Sequence, residues 1–213
     1  MSWTLFELLA QAASYTVFIS LISIAIGLSI GVVILAATLS ANRAVQVAGY
    51  TFVSFFRGVP LLVLLLLIYN LLPAIGLDVP SIVAAVIGLS LCTAAFQAEN
   101  LRGGFQSVPD GLLEAANMVG LNSRQQFWRI KAPIAFRVAF PSLVNEAIMI
   151  LKASSLVSVV GIVELTRMAQ NLASSTYRPV ELFASAGLLY LIINWFIASG
   201  GSLFERSFRW GRS

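Results

Sequence analysis

Few residues in this sequence can do chemistry, and the least comfortable of them is Lys152, a lone cation about halfway along the apolar run Phe140–Val163. A lysine at the centre of a hydrocarbon layer costs about 2.5–3.5 kcal/mol on insertion scales, so a functional role is the default expectation. Asn145, seven residues earlier, falls on nearly the same helix face, Ser155 lies close to it, and Glu146 points elsewhere. Glu99, near the end of another apolar run, is the natural acidic counterpart. A lysine and a glutamate facing one water-filled cavity could recognise the anionic and cationic ends of one solute, or a charged side chain on it. The competing reading is a structural Lys152–Glu99 pair, or Glu99 snorkelling to the interface. Bond-making chemistry has no comparable support. The chain has no histidine and a single cysteine, Cys92, and its polar residues form no nucleophile–base or metal constellation. It also lacks a G-x-x-x-x-G-K-[ST] phosphate loop, for which Arg102-Gly-Gly is no substitute. No cofactor is therefore expected in the chain itself, and transport is favoured over catalysis.

The elements that must position these residues are read from hydropathy. Of the 213 residues, 59% are hydrophobic and 10% charged, against about 25% charged in soluble domains. A span needs about 20 largely apolar residues. Runs of that size lie near 15–39, 52–72, 80–97, 140–163 and 181–201, which predicts an all-α integral membrane protein of about five helices in one domain, 1–213. No basic residue precedes Arg43, and the first run is longer than a signal-peptide core, so it is expected to be retained. Arg43 and Arg57, then Arg102, Arg124, Arg129, Lys131 and Arg137, then Arg206, Arg209 and Arg212 form three basic segments that alternate with the spans. This pattern follows membrane topology rather than nucleic-acid binding, and it predicts the N-terminus outside and the C-terminus in the cytoplasm.

Glycine and proline mark the joints. Pro73, Gly76 and Pro80 bound a short external turn, and Pro109 and Pro133 frame the long cytoplasmic segment, about 107–134. In the first span, Gly27 and Gly31 have the GxxxG spacing, which serves either packing within the chain or a subunit interface. Thr16 and Ser20 sit one turn apart there, able to line a cavity or bond a neighbouring helix. Arg57 opens the second span, as an interfacial anchor or a tether between span ends. In the cytoplasmic segment, Asp110 is placed to cap a helix through Leu112, Leu113, Ala115, Ala116 and Met118. Gly120 is placed to end it in a left-handed conformation. Ser123-Arg-Gln-Gln126 has the form of a capping box before a second helix with Phe127, Trp128 and Ile130. Composition alone would make these membrane-parallel surface helices.

Order and spacing point further. Glu114-Ala115-Ala116, three residues, Gly120, nine residues, then Ile130-x-Ala132-Pro133 resembles the EAA motif of ABC-importer permeases, with Ala132 in place of the usual leucine. Ala98-Glu99-Asn-Leu-Arg102-Gly103, Phe56-Arg57-Gly58-x-Pro60-Leu61-Leu62, and Pro141-x-x-x-Asn145 through Leu151-Lys152 look like the polar amino acid permeases, a family that includes the histidine, glutamine, arginine and opine permeases. The resemblance implies a type I ABC importer permease fold with a cytoplasmic coupling helix, in a bacterial inner membrane. It also implies two partner ATP-binding cassette subunits that bind ATP and Mg, a second permease subunit, an extracytoplasmic solute-binding protein, and a polar amino acid or related solute. Glu114, Ala115, Ala116 and Gly120 become the coupling residues, while Lys152, Glu99, Asn145 and Ser155 are the substrate candidates. Many relatives carry an aspartate where this chain has Ala153, which implies a different substrate, such as a basic amino acid or an opine, or an acid supplied by the other permease subunit. A passive pore or gated channel for small polar solutes is the alternative, and the EAA segment speaks against it.

Overall fold

The computed structural model describes residues 3–208. Among these residues the chain is almost wholly helical: α1 (Trp3–Thr38), α2 (Arg43–Gly58), α3 (Leu61–Ala74), α4 (Ser81–Gln106), α5 (Asp110–Met118), α6 (Ser123–Gln126), a π-helical stretch (Phe127–Lys131), α7 (Ala132–Ala153), a 3-10 stretch (Ser154–Val160), α8 (Leu165–Thr176) and α9 (Pro179–Phe208). Four continuous helical stretches are long and apolar enough to cross a bilayer: α1, α4, the run through Ser123–Val160, and α9. The helix pair α2 and α3 makes a fifth if counted as one bent span.

That pair departs from the single span expected at 52–72. The two helices meet at 106°. Pro60 has no backbone N–H and disfavours helical geometry in the residue before it, and Val59 accordingly turns extended at φ −92°, ψ 130°. The Val59 N–H still donates to the Phe55 carbonyl at 3.0 Å. The Phe56 carbonyl, left without an intrahelical donor, faces the Cys92 thiol at 3.9 Å.

Around this break the bundle is organised by α4, which packs against α1, α2, α3 and α7. Its closest neighbour is α1, and the Gly27/Gly31 pair explains why: a Cβ on Gly27 would fall 2.6 Å from Thr93 Cβ, and one on Gly31 3.0 Å from the Ala94 carbonyl oxygen. The GxxxG spacing is thus spent inside the chain. Because residue 27 meets 93 and residue 31 meets 94–98, the two helices run in the same direction. Gly104 gives α7 a similarly close approach, lying against the Ala135 backbone. Three apolar clusters follow these contacts. One joins Leu9, Leu165 and Leu182, the next Ile19, Leu65, Leu89 and Val157, and the last Leu35, Leu101, Ala139 and Leu143.

At the far end from the α4–α7 connection, a buried carboxylate ties three helices together. Gly161, at φ +85°, ends the 3-10 stretch. Glu164 is then fully buried and caps α8, accepting from the backbone N–H groups of Thr166 (2.8 Å) and Arg167 (2.7 Å) and from the Tyr190 hydroxyl of α9 (2.9 Å). Thr16 of α1 accepts from the Leu165 N–H at 3.0 Å. Ser20, read beside it as a cavity-lining candidate, donates to the Thr16 carbonyl at 2.8 Å. Sequence reading did not single out Glu164, since a lone acid outside the apolar runs looks like a surface charge. Its removal unmakes a helix cap, worth about 1 kcal/mol, and strips Tyr190 of an acceptor, worth about 1 kcal/mol or more. Glu164→Ala should therefore lower the thermal midpoint of the detergent-solubilised protein by about 5 °C, with Glu164→Gln in between; an unchanged midpoint in the alanine variant would contradict this role.

Candidate functional site

The α2–α3 break turns the last residues of α2 towards α4. Arg57 lies there with its guanidinium 5.3 Å from the centre of the Phe96 ring and 3.7 Å from the Glu99 carboxylate. Glu99 also accepts two hydrogen bonds from Arg102, one turn on, at 2.8 and 2.5 Å. One acid is thus shared between two arginines. Where α4 meets the break and α7, a cavity of about 270 Å³ opens, lined by Arg57, Val59, Pro60, Leu61, Cys92, Phe96, Glu146, Met149, Ile150 and Ala153. Its volume is near the lower end of the roughly 300–1,000 Å³ usual for ligand pockets. A basic and an acidic side chain, Arg57 and Glu146, face it among otherwise apolar walls. That pairing suits a ligand carrying both an anionic and a cationic group, with the charges strengthened by their apolar surroundings.

The residues expected to bind substrate are not gathered in this cavity. Lys152 is exposed on the outer face of α7 in its last turn, not mid-helix, because the α-helix gives way at Ser154 to the 3-10 stretch. No ion pair joins Lys152 to Glu99, whose partners are Arg57 and Arg102. Asn145 lines a different recess of about 170 Å³ between α7 and α9, with Phe140, Ser202 and Glu205. Ser155 donates to the Lys152 carbonyl at 2.8 Å, a bond to its own helix. Glu146 does point away from the Lys152 face, as the helical period requires, and that direction leads into the cavity. The available signal was Ala153, seven residues on and therefore on the Glu146 face. Arg57, read as an interfacial anchor or span tether, is the second group that sequence reasoning underweighted.

Between α4 and α7 the chain builds a second feature. The N-cap of α5 is Pro109 and no side chain caps it, so Asp110 serves in the first turn, where its charge meets the positive end of the helix dipole, rather than as the expected cap. Gly120 ends α5 at φ +77°, and the Leu121 N–H closes the turn on the Ala116 carbonyl at 3.0 Å. The capping box is shifted by one residue from Ser123/Gln126. Asn122 accepts from the Gln125 N–H at 2.9 Å, and the Gln125 side chain accepts from the Asn122 N–H at 3.0 Å. This register frees Gln126 to donate to the Asn117 side chain (2.6 Å) and the Leu121 carbonyl (2.7 Å), fixing α5 against α6. The second helix does not stand alone. It runs through the π-helical stretch into α7, and Phe127 stacks on Phe105 of α4 at 5.6 Å. Of the coupling candidates, Glu114 and Ala115 are exposed, Ala116 is buried and Gly120 is exposed. Around them Leu112, Met118, Val119 and Trp128 leave an apolar surface uncovered, the kind of patch that marks an interaction site.

The chain is thus a helical membrane domain with a cavity beside its third and fourth spans and an apolar-tipped helix pair between them. Residues 23–210 match the binding-protein-dependent transport system inner membrane component family, and the chain belongs to that family. It is 40% identical to the nopaline transport system permease protein NocM of Agrobacterium fabrum, over 91% of this chain and 84% of the relative. It is 35% identical to the histidine/lysine/arginine/ornithine transport system permease protein HisQ of Salmonella typhimurium, over 85% of each. Among solved structures, an amino acid ABC transporter with histidines superposes at TM-score 0.89, with 33% identity and 94% of each chain covered. The MetNI methionine ABC transporter, in an inward-facing form, shares the fold at TM-score 0.81 and 21% identity, covering 97% of this chain and 99% of that one. The fold is the type I importer permease fold, and the protein is a permease subunit of an ABC importer rather than a channel.

If Arg57 and Glu146 hold the two ends of a solute, Arg57→Met and Glu146→Gln should each reduce uptake by the reconstituted transporter at least about tenfold, equivalent to about 1.4 kcal/mol, with unchanged yield of folded protein. Glu99 keeps Arg102 as a partner in Arg57→Met, whereas Glu146 loses the opposite charge on its cavity, and the yield of folded protein reports whether that loss matters. Wild-type uptake in both variants would exclude the cavity from the pathway.

Proposed function

We propose that this permease moves a polar amino acid or an opine-like solute inward by alternating access, with the energy supplied by two partner ATP-binding cassette subunits that bind ATP and Mg. The observation that carries the substrate class is the placing of Arg57 and Glu146 on one apolar-walled cavity: a guanidinium suits a carboxylate and a carboxylate suits an ammonium. The names of the relatives, which include nopaline, octopine and histidine/lysine/arginine/ornithine permeases, support the same class. An opine or a basic amino acid carries extra charge beyond a simple zwitterion. Asn145 and Lys152, both exposed on α7, with Ser155 just beyond them and Glu99 on α4, are the groups proposed to meet that extra charge during the cycle.

In this reading a second permease subunit completes the pathway, and an extracytoplasmic binding protein delivers the solute. The uncovered apolar surface beside Glu114, Ala115 and Gly120 docks in a groove of an ATPase subunit, while buried Ala116 holds α5 from behind. Motion of the ATPases then reaches α4 and α7 directly, because Phe105–Phe127 and the continuous α6–α7 path leave little slack. The basic segments support a cytoplasmic helix pair and an N-terminus outside a bacterial inner membrane.

Two measurements test this arrangement. Gly120→Val forces a β-branched residue into a left-handed backbone conformation, although a Cβ at Gly120 meets nothing within 4 Å. Its effect should therefore be local: the ATPase no longer co-purifies and uptake is lost, with the permease still folded. Normal co-purification would remove this segment from coupling. In a Cys92→Ala background, single cysteines at Asp78 or Thr176 should react with an impermeant thiol reagent in intact cells, and one at Asn122 should not. External labelling at Asn122 would overturn both orientation and docking.

A further inference from the structure

Glu99 does not line the cavity, yet it stands beside the guanidinium that does. Both of its carboxylate oxygens are taken by Arg102: Nε donates to one at 2.8 Å and Nη2 to the other at 2.5 Å. A two-pronged grip of this kind makes an arginine–carboxylate pair strong and fixed in direction. Arg57 is left with the weaker share. Its Nη1 stands 3.7 Å from the oxygen that Arg102 Nη2 already holds, too far for a hydrogen bond. Among the described residues its side chain makes no hydrogen bond, and its other contact is the face of the Phe96 ring.

The chain explains why the two arginines differ. Glu99 and Arg102 are three residues apart on α4, so the helical period alone makes them neighbours. Arg57 comes from another helix, two residues before the extended Val59 that turns the chain into α3. Its side chain is 40% exposed, so a solute can reach it without unfolding anything. A cation against apolar walls needs a counter-ion nearby, but one gripped by a carboxylate is not free for a ligand. Arg102 resolves the conflict, because it leaves Glu99 close enough to steady Arg57 and too occupied to hold it.

We propose that Glu99 is the resting counter-ion of Arg57 and competes with the solute carboxylate for it, and that Arg102 sets the strength of this competition by holding both Glu99 oxygens. On the reading that Arg57 receives the solute carboxylate, on which this rests, Glu99 and Arg102 are positioning residues that tune the receiving group without touching that carboxylate. When the solute takes Arg57, Glu99 keeps Arg102 as its partner. Binding therefore strands no charge on α4.

The test is equilibrium binding of radiolabelled arginine, octopine and nopaline to the assembled complex in detergent, without the external binding protein, using whichever binds wild type most tightly. Glu99→Gln removes the competitor and should lower the dissociation constant about two- to fivefold, the effect of a half-exposed ion pair. Arg102→Met frees Glu99 to grip Arg57 and should raise it by a similar factor, with Arg102→Lys, which keeps the charge but not the fork, in between. The double variant Glu99→Gln/Arg102→Met should match Glu99→Gln, because Arg102 acts only through Glu99. A bare effect of net charge would instead return the double variant to the wild-type value, and that result overturns the proposal. So does a shift in the same direction, or no shift, in Glu99→Gln and Arg102→Lys. Monodisperse elution establishes that each variant is folded. Arg57→Met separates this from the parent reading: weakened binding there, with no effect of the Glu99 and Arg102 variants, refutes the competition alone. Unchanged binding in Arg57→Met, or no binding of any of the three solutes to wild type, refutes the parent reading and the competition with it.

Discussion

The close approach of α1 to α4 is the constraint from which the rest of the molecule is built. Between helices in a bilayer there is little hydrophobic driving force, so association depends on contact area and backbone proximity. Gly27 and Gly31 supply that proximity, because no side chain other than hydrogen fits between α1 and the Ser90–Ala98 stretch of α4. With one side of α4 committed in this way, its other sides hold α3 through Leu65 against Gly88 and α7 through Ala135 against Gly104. The face that remains presents Cys92, Phe96 and Glu99, and there the α2–α3 break brings Arg57.

Two carboxylates of the bundle, Glu99 and Glu164, are each met by other groups of the chain. Glu99 is held by Arg57 and Arg102, and Glu164 by two backbone donors and Tyr190. The two sites differ in freedom. Glu164 is fully enclosed and its donors include a helix start, which suits a fixed joint among α1, α8 and α9. Arg57 is only half covered and sits at a break in a helix, where a change in the angle between α2 and α3 alters both its distance to Glu99 and the shape of the cavity.

Several features were legible in the sequence because their causes are local. Hydropathy marks the spans, and the glycine at position 120 marks a left-handed turn that the backbone adopts. The residue types and spacing of the segment from Glu114 to Pro133, with the motifs around it, carried the resemblance to ABC-importer permeases. Other features depend on choices the sequence leaves open. Asn122 and Ser123 are both competent caps, and only the folded chain selects Asn122, releasing Gln126 to bridge to Asn117. Glu99 has three basic residues as conceivable partners, and the helical period brings Arg102 within reach while the Pro60 break brings Arg57, so Lys152 is left facing outward. The break itself was written in Val59-Pro60, but hydropathy runs straight through it and smooths two helices into one. Glu164 was invisible for a similar reason: its burial comes from Tyr190 and Thr16, 26 positions later and 148 positions earlier in the sequence.

In the proposed cycle, solute crosses through a cavity whose opening is set by ATPases docked at the α5–α6 helix pair, so transport and ATP use are inseparable. The most direct measurement is accumulation of radiolabelled nopaline, octopine or arginine in proteoliposomes containing the assembled complex, with the binding protein present on the outer side only. Accumulation against a gradient that requires ATP inside the vesicles, and that stops when the ATP is replaced by a non-hydrolysable analogue, is the result this account predicts. Equilibration of solute without ATP, at the rate seen with it, would contradict the account and identify the chain as a passive pore.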